Sequence, residues 1–137
     1  MMLSGLLKKM CGGYGLSVGA LGERVAAGYL KKQKYKILGK NLRFKIGEID
    51  LLARSADGCF LVLVEVKTRE FSKDDGFLPE YRVGRDKQRK QVQLARLLMK
   101  KYGLSSERIR FDVIGVQNPR GRSPIINHYV NAFESSY

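Results

Sequence analysis

Cysteine and histidine are nearly absent: Cys11, Cys59 and His128 are the whole supply in 137 residues. Two separated thiols and one imidazole support neither a disulfide framework nor a zinc site, and both thiols are expected to be reduced. Long apolar runs are missing too. None approaches the roughly 20 residues of a membrane span. Lys8 and Lys9 interrupt the apolar start at Leu6 and Leu7 that a secretory leader would need to continue. A cytoplasmic protein without membrane contact is the expectation. Acid is scarce as well, with 13 Asp plus Glu against 26 Lys plus Arg, a net charge of +13. Such a balance attracts polyanions, which makes nucleic acid the leading partner. A ribosome-associated or merely basic protein has the same balance, so charge alone does not identify an enzyme.

What is present suits a compact fold. Hydrophobic residues make up 44% of the chain, and a domain of this size buries roughly two thirds of its unfolded surface without disulfide or structural metal. The expectation is a flexible N-terminal arm over residues 1–16 followed by a single domain over 17–137. The glycines of the start, Gly12, Gly13, Gly15, Gly19 and Gly22, follow no strand and end in no Gly-Lys-Ser/Thr. They therefore make a poor phosphate loop.

Ser17 is placed to cap a helix over about 17–33, with Val18, Leu21, Val25 and Tyr29 at helical spacing and Lys31, Lys32 and Lys34 at the end where the dipole favours cations. Residues 35–44 read as a strand, Lys45-Ile46-Gly47 as a tight turn, and 48–54 as a second strand. Asp57-Gly58 is a two-residue hairpin signal leading into a third strand over 60–68. A long loop over 70–84 precedes a helix over 85–102, with Val92, Ala95, Leu98 and Tyr102 inward. A strand over 110–116, parallel to the third if the helix is a right-handed crossover, completes an α-β-β-β-α-β order. Residues 125–133 form a weaker edge strand.

Hairpin arithmetic then locates polar groups. If Asp57 and Gly58 are the turn, partner numbers sum to 115, so Asp50 faces Glu65 and Glu48 faces Lys67. Strict alternation puts Ile49, Leu51, Ala53, Phe60, Val62, Val64 and Val66 on one apolar face and Glu48, Asp50, Glu65 and Lys67 on the other. Two carboxylates directly across an antiparallel pair destabilise it. A bound cation offsets that repulsion, and two carboxylates completed by water and phosphate oxygens suit Mg²⁺ or Mn²⁺ better than Ca²⁺. The bland alternative pairs Glu48 with Lys67 and leaves Asp50 and Glu65 in solvent, as on any wet sheet face.

The ordered set Asp50, Glu65-x-Lys67, with Glu23 on the preceding helix, resembles the PD-(D/E)xK superfamily, the restriction-endonuclease-like fold that includes Holliday-junction resolvases. More closely, Gly22-Glu23, Gly47-Glu48-Ile49-Asp50-Leu51, Val64-Glu65-Val66-Lys67-Thr68-Arg69, Arg110-Phe111-Asp112-Val113-Ile114 and Asn131-Ala132-Phe133 are similar to the YraN-like family of small bacterial proteins. The resemblance implies an α/β fold with a mixed central sheet flanked by helices, and metal-dependent hydrolysis of DNA phosphodiesters, directed at branched or damaged DNA. It makes Asp50, Glu65 and Glu23 metal ligands and gives Lys67 the role of orienting water and balancing charge. Ile49, not Pro, precedes Asp50. Glu23 has the alternative of a solvated helix glutamate, and Glu48 is an accessory candidate.

Lys87 and Gln91 aim at the sheet near a helix N-terminus and are candidates to hold nucleic acid, with the alternative that their stems only cover the apolar stripe. Arg69, Arg82 and Arg85 extend the basic surface for sequence-independent phosphate contacts, with DNA favoured over RNA. Symmetric cutting of two strands needs two sites, so a homodimer is a further expectation. A binding module of the same fold without turnover is the alternative function.

Overall fold

The computed structural model describes residues 15–70 and 83–134. Helix α1 (Val18–Lys32) is followed by strands β1 (Lys36–Phe44), β2 (Gly47–Arg54) and β3 (Leu61–Arg69), helix α2 (Arg85–Tyr102), and strands β4 (Ile109–Gln117) and β5 (Ile125–Tyr129). Of the expected arm only Gly15 and Leu16 are described. Arg82 and the centre of the 70–84 loop lie outside the described residues. Ser17 caps α1 as its sequence implies, its Oγ accepting from the Ala20 N–H at 3.2 Å. Gly103, at φ 65°, closes α2 in the left-handed conformation that glycine adopts without strain.

The five strands lie in sequence order, β1-β2-β3-β4-β5. All neighbours are antiparallel except β3 and β4, which α2 joins as a parallel crossover. The αβββαβ order is thus present, with β3 central. Its residues Leu61 to Glu65 are all buried, as expected for a strand covered on both faces. On one face Leu51, Ala53, Val62, Val64, Ile114 and Val116 pack beneath Ala26, Ala27 and Leu30 of α1. On the other, Ile49, Leu52, Leu61, Leu63 and Phe111 meet Leu94, Ala95 and Leu98 of α2.

Three placements differ from the sequence reading. The buried face of α1 is Gly22, Ala26, Ala27 and Leu30, while Val25 and Tyr29 pack at its margin. Small residues let this helix lie close on the sheet: a Cβ on Gly22 would come within 1.8 Å of Thr68 Oγ1 and 2.7 Å of Thr68 Cβ. Tyr102 of α2 is exposed and Leu94 takes the interior position. Ile49 joins the α2 side with Leu52, not the side of Leu51. Alternation breaks at Asp50, where Asn41, at φ 48°, is skipped in the β1–β2 ladder although the register is the same on both sides of it; the ladder's register shift lies farther along, between Ile37 and Gly39. Among the described residues no helix is long and apolar enough to cross a membrane.

Candidate functional site

The hairpin register sums to 115, as the arithmetic required, from Arg54↔Leu61 to Leu51↔Val64. Its turn is longer than two residues. Ser55 N–H donates to the Phe60 carbonyl and Gly58 N–H to that of Ser55, while Asp57 Oδ1 accepts from Ser55 Oγ and the Cys59 N–H. The Asx-type turn preserves the register because its extra residues are shared equally by the two sides.

At the other end the β2–β3 ladder stops after Leu51, and the strands splay at Asp50 and Glu65. Asp50 fills the gap with its side chain: Oδ2 accepts from the Val66 N–H at 2.9 Å. Both carboxylates are buried, Asp50 at 8% and Glu65 at 6% exposure, which removes the wet-face alternative. Lys87 Nζ donates to Glu65 Oε1 at 2.5 Å, and Lys67 Nζ lies 3.6 Å from the same oxygen. Lys67 therefore turns to Glu65 on its own strand and not to Glu48 across the hairpin. Glu23 faces this cluster from α1: its carboxyl pKa is raised by burial, lowered in part by a hydrogen bond with Asn41, and raised again by the charges of Glu48 and Glu65.

Gln91 is buried and donates from Nε2 to the Glu48 carbonyl at 2.8 Å. Its amide nitrogen is thus engaged as a strut that fixes the backbone before Asp50. A cleft of about 380 Å³ lined by Gly47, Glu48, Lys87, Lys90 and Gln91 opens beside it. Glu48 is exposed within that lining, Arg85 is exposed at the start of α2 and borders a separate depression with Arg89 and Arg96, and Arg69 is half-buried at the end of β3. Glu23, Asp50, Glu65, Lys67 and Lys87 are thus brought together.

The electrostatics follow from burial. Asp50 is pushed up to about 7, first by desolvation and then by the Glu65 charge, with the Val66 N–H and Lys87 pulling the other way. Burial works against the charge of Lys87, but its hydrogen bond to Glu65 and the surrounding carboxylates outweigh it and raise its pKa. Among the described residues no three acidic, histidine or cysteine side chains converge as a preassembled metal cage. The donor set fits a divalent ion differently: two buried carboxylates, the pKa of one raised by burial and by the charge of the other, suit a hard cation that keeps water and substrate oxygens.

A pH dependence follows. Asp50 has a folded pKa of about 7 against an ordinary 3.8, so the folded state holds its proton more tightly. The resulting stabilisation is complete below the unfolded value and is lost as pH rises through the folded one. At about 1.4 kcal/mol per pH unit, the metal-free protein is expected to lose a few kcal/mol relative to Asp50→Asn between acid and alkaline solution. Urea unfolding in chelator at acid, neutral and alkaline pH measures this, and parallel profiles for the two proteins would refute the coupling.

Fold and site together define an αβββαβ protein with a buried acid–lysine cluster at the splayed mouth of its central hairpin. The chain belongs to the uncharacterised protein family UPF0102, whose profile matches residues 22–116. It is 43% identical over 121 residues to a UPF0102 protein of Trichlorobacter lovleyi, covering 88% of this chain and 93% of the relative. A UPF0102 protein of Caldanaerobacter subterraneus subsp. tengcongensis is 44% identical over 119 residues, covering 85% and 94%. Among solved structures, that of an EndoMS–dsDNA2 complex is similar at 18% identity and a TM-score of 0.44, over 72% of this chain and 36% of that one.

The sequence reading missed the buried ensemble of Arg110, Asp112, His128, Tyr29 and Tyr35 on the α1 side. Asp112 accepts from Arg110 Nε at 2.9 Å, from Arg110 Nη2 at 2.9 Å and from the Asn131 N–H at 3.0 Å, and lies 2.7 Å from His128 Nε2. His128 Nδ1 lies 3.2 Å from the Tyr29 hydroxyl, so a proton on Nε2 satisfies both ring nitrogens. For Asp112 itself the sequence does carry a signal: its parity is opposite to that of Phe111 and Val113, so it faces away from their side, and a structural hydrogen bond is at least as expected there as a site role. The register of β5, which brings His128 beside it, was not legible.

Proposed function

We propose that the protein is a Mg²⁺- or Mn²⁺-dependent nuclease acting on DNA phosphodiesters. The observation that carries this reading is the buried Asp50–Glu65 pair flanked by Lys67 and Lys87. Asp50, Glu65 and Glu23 would hold the metal, which when bound polarises the phosphoryl oxygen and lowers the pKa of water. Lys67 would offset the negative charge that develops on the phosphate, and Lys87 balances Glu65 before substrate arrives. Val66 N–H holds one oxygen of Asp50 in place, while Gln91 fixes the strand that carries it. The exposed Arg85, Arg89 and Lys90 at the start of α2 attract the phosphate backbone without reading sequence.

Branched or damaged DNA is the proposed substrate class, and paired cuts call for a homodimer. A second reading is a DNA-binding module without turnover. It is favoured by the absence of a preassembled three-carboxylate cage among the described residues and by Lys87 sitting on Glu65. Labelled single-stranded, duplex, flapped and four-way-junction DNA, incubated with the protein in Mn²⁺ and in chelator, separates the two. Cleavage in Mn²⁺ that Asp50→Ala abolishes is the expected result. Salt-sensitive binding with no cleavage of any substrate, unchanged in Asp50→Ala, would replace the nuclease by the binding module.

A further inference from the structure

Away from the acid cluster, the sheet edge and the C-terminal half of α2 leave an apolar surface open. Leu38 and Phe44 on edge strand β1 are 42% and 39% exposed, and Leu97 and Tyr102 on α2 are 51% and 57% exposed. Single exposed apolar side chains are ordinary, but these four border one cavity of about 770 Å³. Among the described residues its lining includes three cations, Arg54, Lys101 and Arg108, and no carboxylate. None of Glu23, Asp50, Glu65, Lys67 or Lys87 lines it, so α2 offers its N-terminal turn to the acid cluster and its C-terminal turns to this groove.

Charge discriminates among the occupants. A second copy of the chain would bring the same cations against themselves, in a protein of net charge +13. Residues 1–14 carry Lys8 and Lys9 and no Asp or Glu, so they too lack the complementary sign; residues 71–82 do carry Asp74, Asp75 and Glu80, but both their flanks, Glu70 and Val83, lie at the end of β3 and the start of α2, the opposite end of that helix from the groove. Single-stranded nucleic acid has that sign, but its bases need aromatic platforms. Among the described residues seven leucines line the groove against three aromatics. Two of those rings already carry cations: Arg110 lies 5.2 Å from the Phe60 centroid and Lys101 5.4 Å from that of Tyr102. Aliphatic walls with a cationic rim suit apolar side chains flanked by carboxylates.

We infer that this groove docks an acidic amphipathic segment of a partner protein, with its apolar side chains in the cavity and its carboxylates on Arg54, Lys101 and Arg108. An i, i+3/i+4, i+7 pattern of leucine or aromatic anchors, interspersed with Asp and Glu, is the chemistry that fits.

A display library of random peptides about 16 residues long tests this on the full-length protein, counter-selected against Leu97→Glu and Tyr102→Glu. Both positions are exposed, and circular dichroism and thermal melts verify that the variants fold. The recovered peptides are expected to be acidic with apolar anchors. Their affinity, by fluorescence anisotropy, should fall at least about tenfold with Leu97→Glu and weaken in high salt. Lys101→Glu should weaken them too, with partial rescue by a peptide bearing Lys in place of the facing acid. Recovery of neutral or basic peptides, or of none sensitive to both variants, would overturn the inference. So would displacement of the peptides by single-stranded DNA in wild-type protein but not in Leu97→Glu. A dimer abolished by Leu97→Glu, or a groove that admits peptide only after residues 1–14 are removed, would assign the surface to this chain instead.

Discussion

Glu65→Gln and Lys67→Met are each expected to lower metal-dependent cleavage by about 10²–10³-fold, with the affinity for DNA in chelator changed little. Glu65 lies buried between the two lysines, so the amide removes the charge that holds both ammonium groups and one of the three candidate metal donors. Lys67 is farther from Glu65 than Lys87 is, 3.6 Å against 2.5 Å, and is therefore the less committed cation at the mouth of the site. Lys87→Met distinguishes the roles. If Lys87 balances Glu65 and contacts the backbone phosphates, its loss weakens binding and its salt dependence more than it lowers single-turnover cleavage. Single-turnover rates at saturating DNA, beside binding curves across a salt series, provide both readouts. Full cleavage by Glu65→Gln would remove the carboxylate pair from the chemistry.

Much of this arrangement was legible because its signals are local. The Asp57-Gly58 turn fixed the partner sum, and an Asx-type turn of different length kept it. Ser17 marked a helix start and Gly103 ended the second helix. Alternation failed where the pleat is interrupted: Asn41 leaves the β1 ladder, Asp50 closes its gap with a side chain, and Ile49 consequently packs with Leu52. An asparagine inside a strand pattern signals a local kink of the pleat, since Asn tolerates positive φ better than its apolar neighbours. The face of α1 was misplaced for a different reason. Large apolar residues dominate a periodicity count, whereas close packing against Thr68 selects glycine and alanine. The convergence of Glu23 with Asp50 came from resemblance; spacing alone cannot specify how a helix crosses a sheet.

Asp112→Ala is expected to be the most destabilising single change on the α1 side, by about 3–5 kcal/mol, a large part of what a domain of this size possesses. Asp112 is 1% exposed and is the acceptor shared by Arg110, His128 and the Asn131 N–H. Its pKa reflects the balance: burial raises it, but the hydrogen bonds from His128, Arg110 and Asn131 outweigh burial and hold it below the usual carboxylate value. For a depressed acid the stabilisation is present above the unfolded pKa of 3.8 and is lost as pH falls through the folded one. Removing the carboxylate leaves the Arg110 guanidinium nearly buried, with Tyr35 Oη as its remaining acceptor at 2.7 Å. Arg110→Met should therefore reduce the penalty of Asp112→Ala, because the unpaired charge is the larger part of it. Urea midpoints for the two single variants and the double variant test this. Additive losses would mean that Asp112 acts through packing alone, whereas a double variant more stable than Asp112→Ala would identify the stranded cation as the source of the instability.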